Sequence, residues 1–137
     1  MTSEERHINI LLIEDNEGDA VLAREAFRRL DKNINLTHIY DGEESLQFLD
    51  SKILALPDLI ILDLNLPGMN GFEILKYIKE SDSLKELPVV IFSTSNNEND
   101  ITKCKELKAD SYIIKPIDLV EYFNVVEGMK KFWIKNS

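Results

Sequence analysis

The sequence holds a single cysteine, Cys104, among 137 residues. One thiol excludes an intrachain disulfide framework and a cysteine-built metal site. Cys104 itself reads as a small apolar helix residue. Glycine and proline are scarce, at five and four, and no low-complexity segment, internal repeat or interdomain linker is visible. No apolar run approaches the roughly 20 residues that span a bilayer. The opening MTSEERH lacks an apolar signal-peptide core, so the expected location is the cytoplasm. Positive charge is in deficit: 16 Lys and Arg stand against 25 Asp and Glu, a net charge of -9. A nucleic-acid partner is therefore not expected, because it would need a basic face. What remains is 44% hydrophobic and 30% charged, an ordinary globular composition. The length suits one domain, expected to occupy 1–137 without an output domain.

Five short apolar runs rich in β-branched residues punctuate the chain: Ile8–Ile13, Asn35–Tyr40, Leu59–Leu62, Val89–Phe92 and Ser111–Ile114. The first, third and fourth are nearly continuous rather than alternating, as in strands covered on both faces. Helical spacing lies between them. Ala20, Ala23, Phe27 and Leu30 mark a first helix, and Leu46 and Leu49 a second. Phe72, Leu75 and Ile78 mark a third, and Ile101, Cys104 and Leu107 a fourth. Leu119, Phe123 and Val126 open a fifth that runs towards Ile134. Five β-α alternations predict an α/β fold with a doubly wound parallel sheet. Five strands suit the flavodoxin-like order 2-1-3-4-5, which puts a functional site beyond the carboxyl ends of the first and third strands.

The residues at those ends form a chemical set. The first strand stops at Glu14-Asp15 and the third at Asp63. On neighbouring strands, three carboxylates would converge and repel unless protonated or bridged by a cation. Oxygen-only ligands point to Mg²⁺ rather than zinc or iron. The fourth strand ends in Ser93-Thr94-Ser95 and the fifth in Lys115-Pro116. A hydroxyl and an ammonium on the same rim can bind phosphoryl oxygens, and Asp63, ending the central strand, is placed as the nucleophile.

At these residues the chain resembles a response-regulator receiver domain of two-component signalling, from about His7 to Gly128. The stretch Asp63-Leu64-Asn65-Leu66-Pro67-Gly68-Met69-Asn70-Gly71 matches the family's phosphoacceptor Asp followed by Pro-Gly and a further Gly. The resemblance implies that Glu14 and Asp15 are metal-binding acids, with Glu keeping the charge and lengthening the reach where Asp is usual. It further implies that Asn65 lends its backbone carbonyl to Mg²⁺. Ser93 and Tyr112 become the switch hydroxyl and aromatic, and Lys115 precedes a proline whose peptide bond is typically cis. Glu14 to Ala20 and Ser93-Thr94-Ser95 are similar to the small stand-alone regulators paired with bacterial phytochrome kinases.

The expected function is a phosphoacceptor that takes a phosphoryl group from a sensor histidine kinase onto Asp63 with Mg²⁺. Ser93 is then drawn in and Tyr112 turns inward, biasing the face of the fourth helix, fifth strand and fifth helix. Signal would leave by protein contact or by passing the phosphate on. Three other classes compete. A haloacid-dehalogenase-type phosphatase needs a second Asp where Asn65 stands, and a cap domain. A flavin carrier needs a Ser/Thr/Gly-rich loop in place of Glu14-Asp15-Asn16-Glu17. The last is a binding module that is never phosphorylated. Lys115 is expected to matter for the switch more than for stability. Along the last helix, Val125, Met129 and Phe132 lie beside the stripe that one sheet-packing helix needs. A homodimer interface is expected there.

Overall fold

The computed structural model describes residues 7–51 and 56–134. The elements alternate strictly: β1 (Ile8–Ile13), α1 (Glu17–Leu30), β2 (Ile34–Ile39), α2 (Gly42–Asp50), β3 (Leu59–Leu62), α3 (Gly71–Glu80), β4 (Val89–Ser93), α4 (Glu98–Glu106), β5 (Ser111–Ile114), α5 (Leu119–Gly128) and a short α6 (Lys131–Ile134). The strands form one sheet in the order β2-β1-β3-β4-β5, and every adjacent pair is parallel. The expected α/β topology is therefore observed, with β2 starting and ending one residue earlier than expected and β4 running one residue longer.

The near-continuous apolar runs are explained by two cores, one on each face. Ile10, Leu12, Leu59, Ile61, Val90 and Phe92 point to the side covered by α1 and α5, where Ala20, Ala23, Phe27, Tyr122 and Val126 close over them. Leu11, Ile13, Ile60, Leu62, Val89 and Ile91 point the other way, against Leu46, Leu49, Ile74, Leu75, Ile78 and Cys104. Side chains alternate between faces in a strand, so a strand covered twice must be apolar at every position. Cys104 is buried as expected, and burial, with the nearby Asp100 charge, pushes its thiol up to about 11.

Each of the helices α1 to α5 begins with an Asn or Asp cap: Asn16, Asp41, Asn70, Asn97 and Asp118. Their side chains accept backbone N–H groups left open in the first turn. In a parallel sheet these starts follow the carboxyl ends of the strands, so the caps also fix the rim of the crevice.

The C-terminal segment departs from expectation. The fifth helix stops at Gly128, and the chain turns before α6. That turn carries Phe132 and Trp133 back onto the core, with the Trp133 ring 6.4 Å from that of Phe27. Met129 is fully buried and Val125 packs partly buried against the same cluster. The three residues expected to form a dimer interface thus have intrachain partners. The helical-wheel reading assumed one straight helix to Ile134; a turn puts the later residues on a different bearing. Among the described residues, no helix is long and apolar enough to cross a membrane.

Candidate functional site

The register of the strands assembles the site. Ile13 of β1 lies opposite Leu62 of β3, so the residues that follow, Glu14 and Asp63, leave the sheet side by side. Pairing continues one step further, because Asp63 N–H donates to the Ile13 carbonyl at 3.1 Å. Across the sheet, Lys115 N–H donates to the Ser93 carbonyl at 2.8 Å. That bond fastens the end of β5 to the end of β4. Gly71 allows the β3–α3 loop to fold beneath Asp63. A Cβ there would lie 2.6 Å from both the Asp63 carbonyl oxygen and Leu64 Cα, and backbone atoms cannot give way. Gly68, after Pro67, takes a positive φ of 72° that favours glycine in the same loop.

At the floor of the crevice, ligand oxygens of Glu14, Asp15 and Asp63 all lie within 4.8 Å of one another. Lys115 reaches in from the far side. Its Nζ donates to Glu14 Oε1 at 2.5 Å, Asp19 Oδ2 at 2.9 Å and Asp63 Oδ2 at 3.0 Å. Asp63 Oδ1 accepts from the Asn65 N–H at 3.2 Å. Glu14 is held from behind as well: its Oε2 accepts from Asn16 N–H, and its carbonyl lies 2.7 Å from His38 Nε2. Ser93 is fully buried, and its Oγ accepts from Ser95 N–H.

One ammonium cannot neutralise this many carboxylates. Burial and the Asp63 charge push the Glu14 carboxyl up to about 7, although Lys115 opposes them. Burial disfavours the Lys115 ammonium, but hydrogen bonds to Glu14 and Asp19 and the charge of Asp63 outweigh it, so Lys115 sits above the ordinary lysine range. A compact, oxygen-only acidic cluster with surplus negative charge suits a hard divalent cation. Beside it stand a carboxylate nucleophile and an ammonium, the parts that phosphoryl transfer requires.

Comparison with known proteins decides the family. The sequence profile of the response regulator receiver domain matches residues 10–127. The chain belongs to that family. The response regulator Rcp1 of Synechocystis sp. is 36% identical over 92% of this chain and 88% of its own length. The probable methanogenesis regulatory protein FilR2 of Methanothrix harundinacea is 35% identical over 91% of this chain and 83% of its own. Among solved structures, the phosphorylated cyanobacterial phytochrome response regulator RcpA superimposes with a TM-score of 0.88, at 38% identity, covering 96% of this chain and 97% of that one. The Mn²⁺-bound form of Rcp1 gives 0.84 at 35% identity, over 95% and 96% of the two chains.

The protein is thus a receiver domain of two-component signalling. Membership of that family disposes of the dehalogenase-type phosphatase and the flavin carrier. Within the receiver, Glu14, Asp15, Asp63 and Lys115 meet where the sequence puts them. Three details differ. No peptide bond among the described residues is cis, so Lys115–Pro116 is trans. Tyr112 is already packed against the core beside α4, its hydroxyl donating to the Ser95 carbonyl at 2.8 Å. The Lys115 side chain is only 8% exposed, so its ionic role cannot be separated from stability.

Asp19 is the site residue that pattern reading missed. It looks like a first-turn acid of α1, a position where acids are common because they favour the positive helix end. A signal was present in that it stands in the first turn of the helix that follows Glu14-Asp15. Only the fold shows that this turn overhangs Lys115.

Proposed function

We propose that this receiver domain accepts a phosphoryl group from a histidine kinase onto Asp63, with Mg²⁺ held by Glu14, Asp15, Asp63 and the backbone carbonyl of Asn65. An Asp63 carboxylate oxygen attacks the phosphorus of a phosphohistidine. The P–N bond breaks, its electron pair stays with the imidazole, and an acyl phosphate forms on Asp63. When bound, the cation offsets charge on the transferring group. Lys115 supplies the second positive charge, and the Ser93 hydroxyl is available to an oxygen of the product. The observation that carries the reading is the convergence of Asp63, two further acids and Lys115 where strand order reverses between β1 and β3.

Addition of the phosphoryl group is proposed to rearrange the β4–α4 loop, where Ser93, Ser95 and Tyr112 are already joined by hydrogen bonds. This biases the α4–β5–α5 face for contact with a downstream protein. Similarity to Rcp1 and RcpA supports a phytochrome-like kinase as the donor. The near-equal identity to FilR2 makes the kinase a separate question, answered by phosphotransfer from a panel of purified kinases.

The test of the core reading is incubation with acetyl phosphate, with and without Mg²⁺, followed by intact-mass measurement. Wild type should gain one phosphoryl group only with the cation, and Asp63→Asn should gain none. An undiminished gain in Asp63→Asn, or in excess chelator, overturns it.

A further inference from the structure

An ammonium has three N–H donors, and in Lys115 each one meets a carboxylate: Glu14, Asp19 and Asp63. Lys115 can bind a phosphoryl oxygen on Asp63 only if one of these partners lets go. The three are not equivalent. The Glu14 and Asp63 side chains are 3% and 9% exposed, whereas that of Asp19 is 41% exposed. A buried carboxylate that loses its cation is left poorly solvated, but a half-exposed one is rehydrated at once. The backbone at Asp19 is held by the α1 cap, since its N–H donates to Asn16 Oδ1 at 2.8 Å. Its side chain can therefore turn away without moving the helix.

We infer that Asp19 is a positioning residue that occupies the Lys115 donor which a phosphoryl oxygen takes up, and so sets how readily Lys115 engages phosphorylated Asp63. Asp19 touches no reacting atom and acts through Lys115. The inference rests on Asp63 being the phosphoacceptor. It assigns a role to a residue on α1, outside the strand-end set.

The test uses the full chain with Mg²⁺ and beryllofluoride, a stand-in for the phosphoryl group, and reads affinity by calorimetry. Competition from a partly exposed ion pair is worth about a 2- to 5-fold change in affinity. Asp19→Asn should tighten beryllofluoride binding by that factor. Glu17→Gln removes the same charge from the same turn, at an exposed residue that is not a partner of Lys115; it should change affinity by clearly less. In the metal-free protein, the ¹⁵N resonance of the Lys115 ammonium should move in Asp19→Asn and stay in Glu17→Gln. Unchanged or weaker binding in Asp19→Asn overturns the inference. So does equal tightening by Glu17→Gln, which would mean that only bulk charge matters. If wild type fails to bind beryllofluoride, or Asp63→Asn binds it equally well, the reading of Asp63 fails first and takes the inference with it.

Discussion

Replacing Lys115 by methionine should destabilise the metal-free protein, contrary to the expectation from sequence that this lysine is dispensable for folding. Methionine keeps most of the apolar stem, so the change isolates the charge. Removing one partner of a buried ion pair costs about 3–5 kcal/mol, because the other charge stays buried without compensation. Glu14 and Asp63 are buried in this sense, while half-exposed Asp19 adds about 0.2–1 kcal/mol at most. One process limits the loss. Glu14 already titrates at about 7, so at pH 7.5 it can take up a proton for less than about 1 kcal/mol. The net loss is therefore about 2–3 kcal/mol, or a fall of roughly 10 °C in Tm for a domain of this size. Urea denaturation in chelator at pH 7.5 measures it. At pH 5, below the Glu14 value, Glu14 is neutral in both proteins and the loss should shrink. Saturating Mg²⁺ should also shrink it, because a cation bound to the same acids stabilises the folded state. A loss below about 1 kcal/mol at pH 7.5 in chelator, or one independent of pH, would refute the claim that Lys115 compensates buried carboxylates.

Three further outcomes are expected. Glu14→Gln should stabilise the metal-free protein at pH 8 by up to about 3 kcal/mol, and the gain should fall below about 1 kcal/mol at pH 5. A carboxyl whose folded pKa lies above its ordinary value costs stability as pH rises through that interval; a flat difference across a pH series of melting curves would contradict this. Met129→Glu and Phe132→Glu should each cost about 3 kcal/mol or more and leave the oligomeric state of folded protein unchanged, since both side chains are buried within the chain. Light scattering that showed a stable, folded protein dissociating instead would restore the interface reading. Gly71→Ala should cost more than about 2 kcal/mol, because the new methyl group meets the Asp63 and Leu64 backbone, and should weaken Mg²⁺ binding measured by calorimetry.

The strand ends were legible in the sequence for a simple reason. A strand covered on both faces must be apolar throughout, so the first polar residue marks where it emerges. Glu14 and Asp63 each stand directly after such a run, and Lys115 directly after the half-buried edge strand β5. Strand order followed from the alternation of elements, and order alone brings the ends of β1 and β3 together. Three things escaped, each because it depends on direction rather than on spacing. The role of Asp19 needs the angle at which α1 leaves β1, which puts its first turn over Lys115. The burial of Met129 and Phe132 needs the turn after Gly128, which periodicity cannot register because it assumes a continuous helix. The compensation of buried charge by Lys115 needs its side chain to lie across the rim rather than out in solvent, and only the packed end of β5 against β4 aims it there. Local sequence determined which chemical groups stand at the rim. The tertiary structure decided which of them share one cation, because distances between side chains from different strands are set by packing and not by position along the chain.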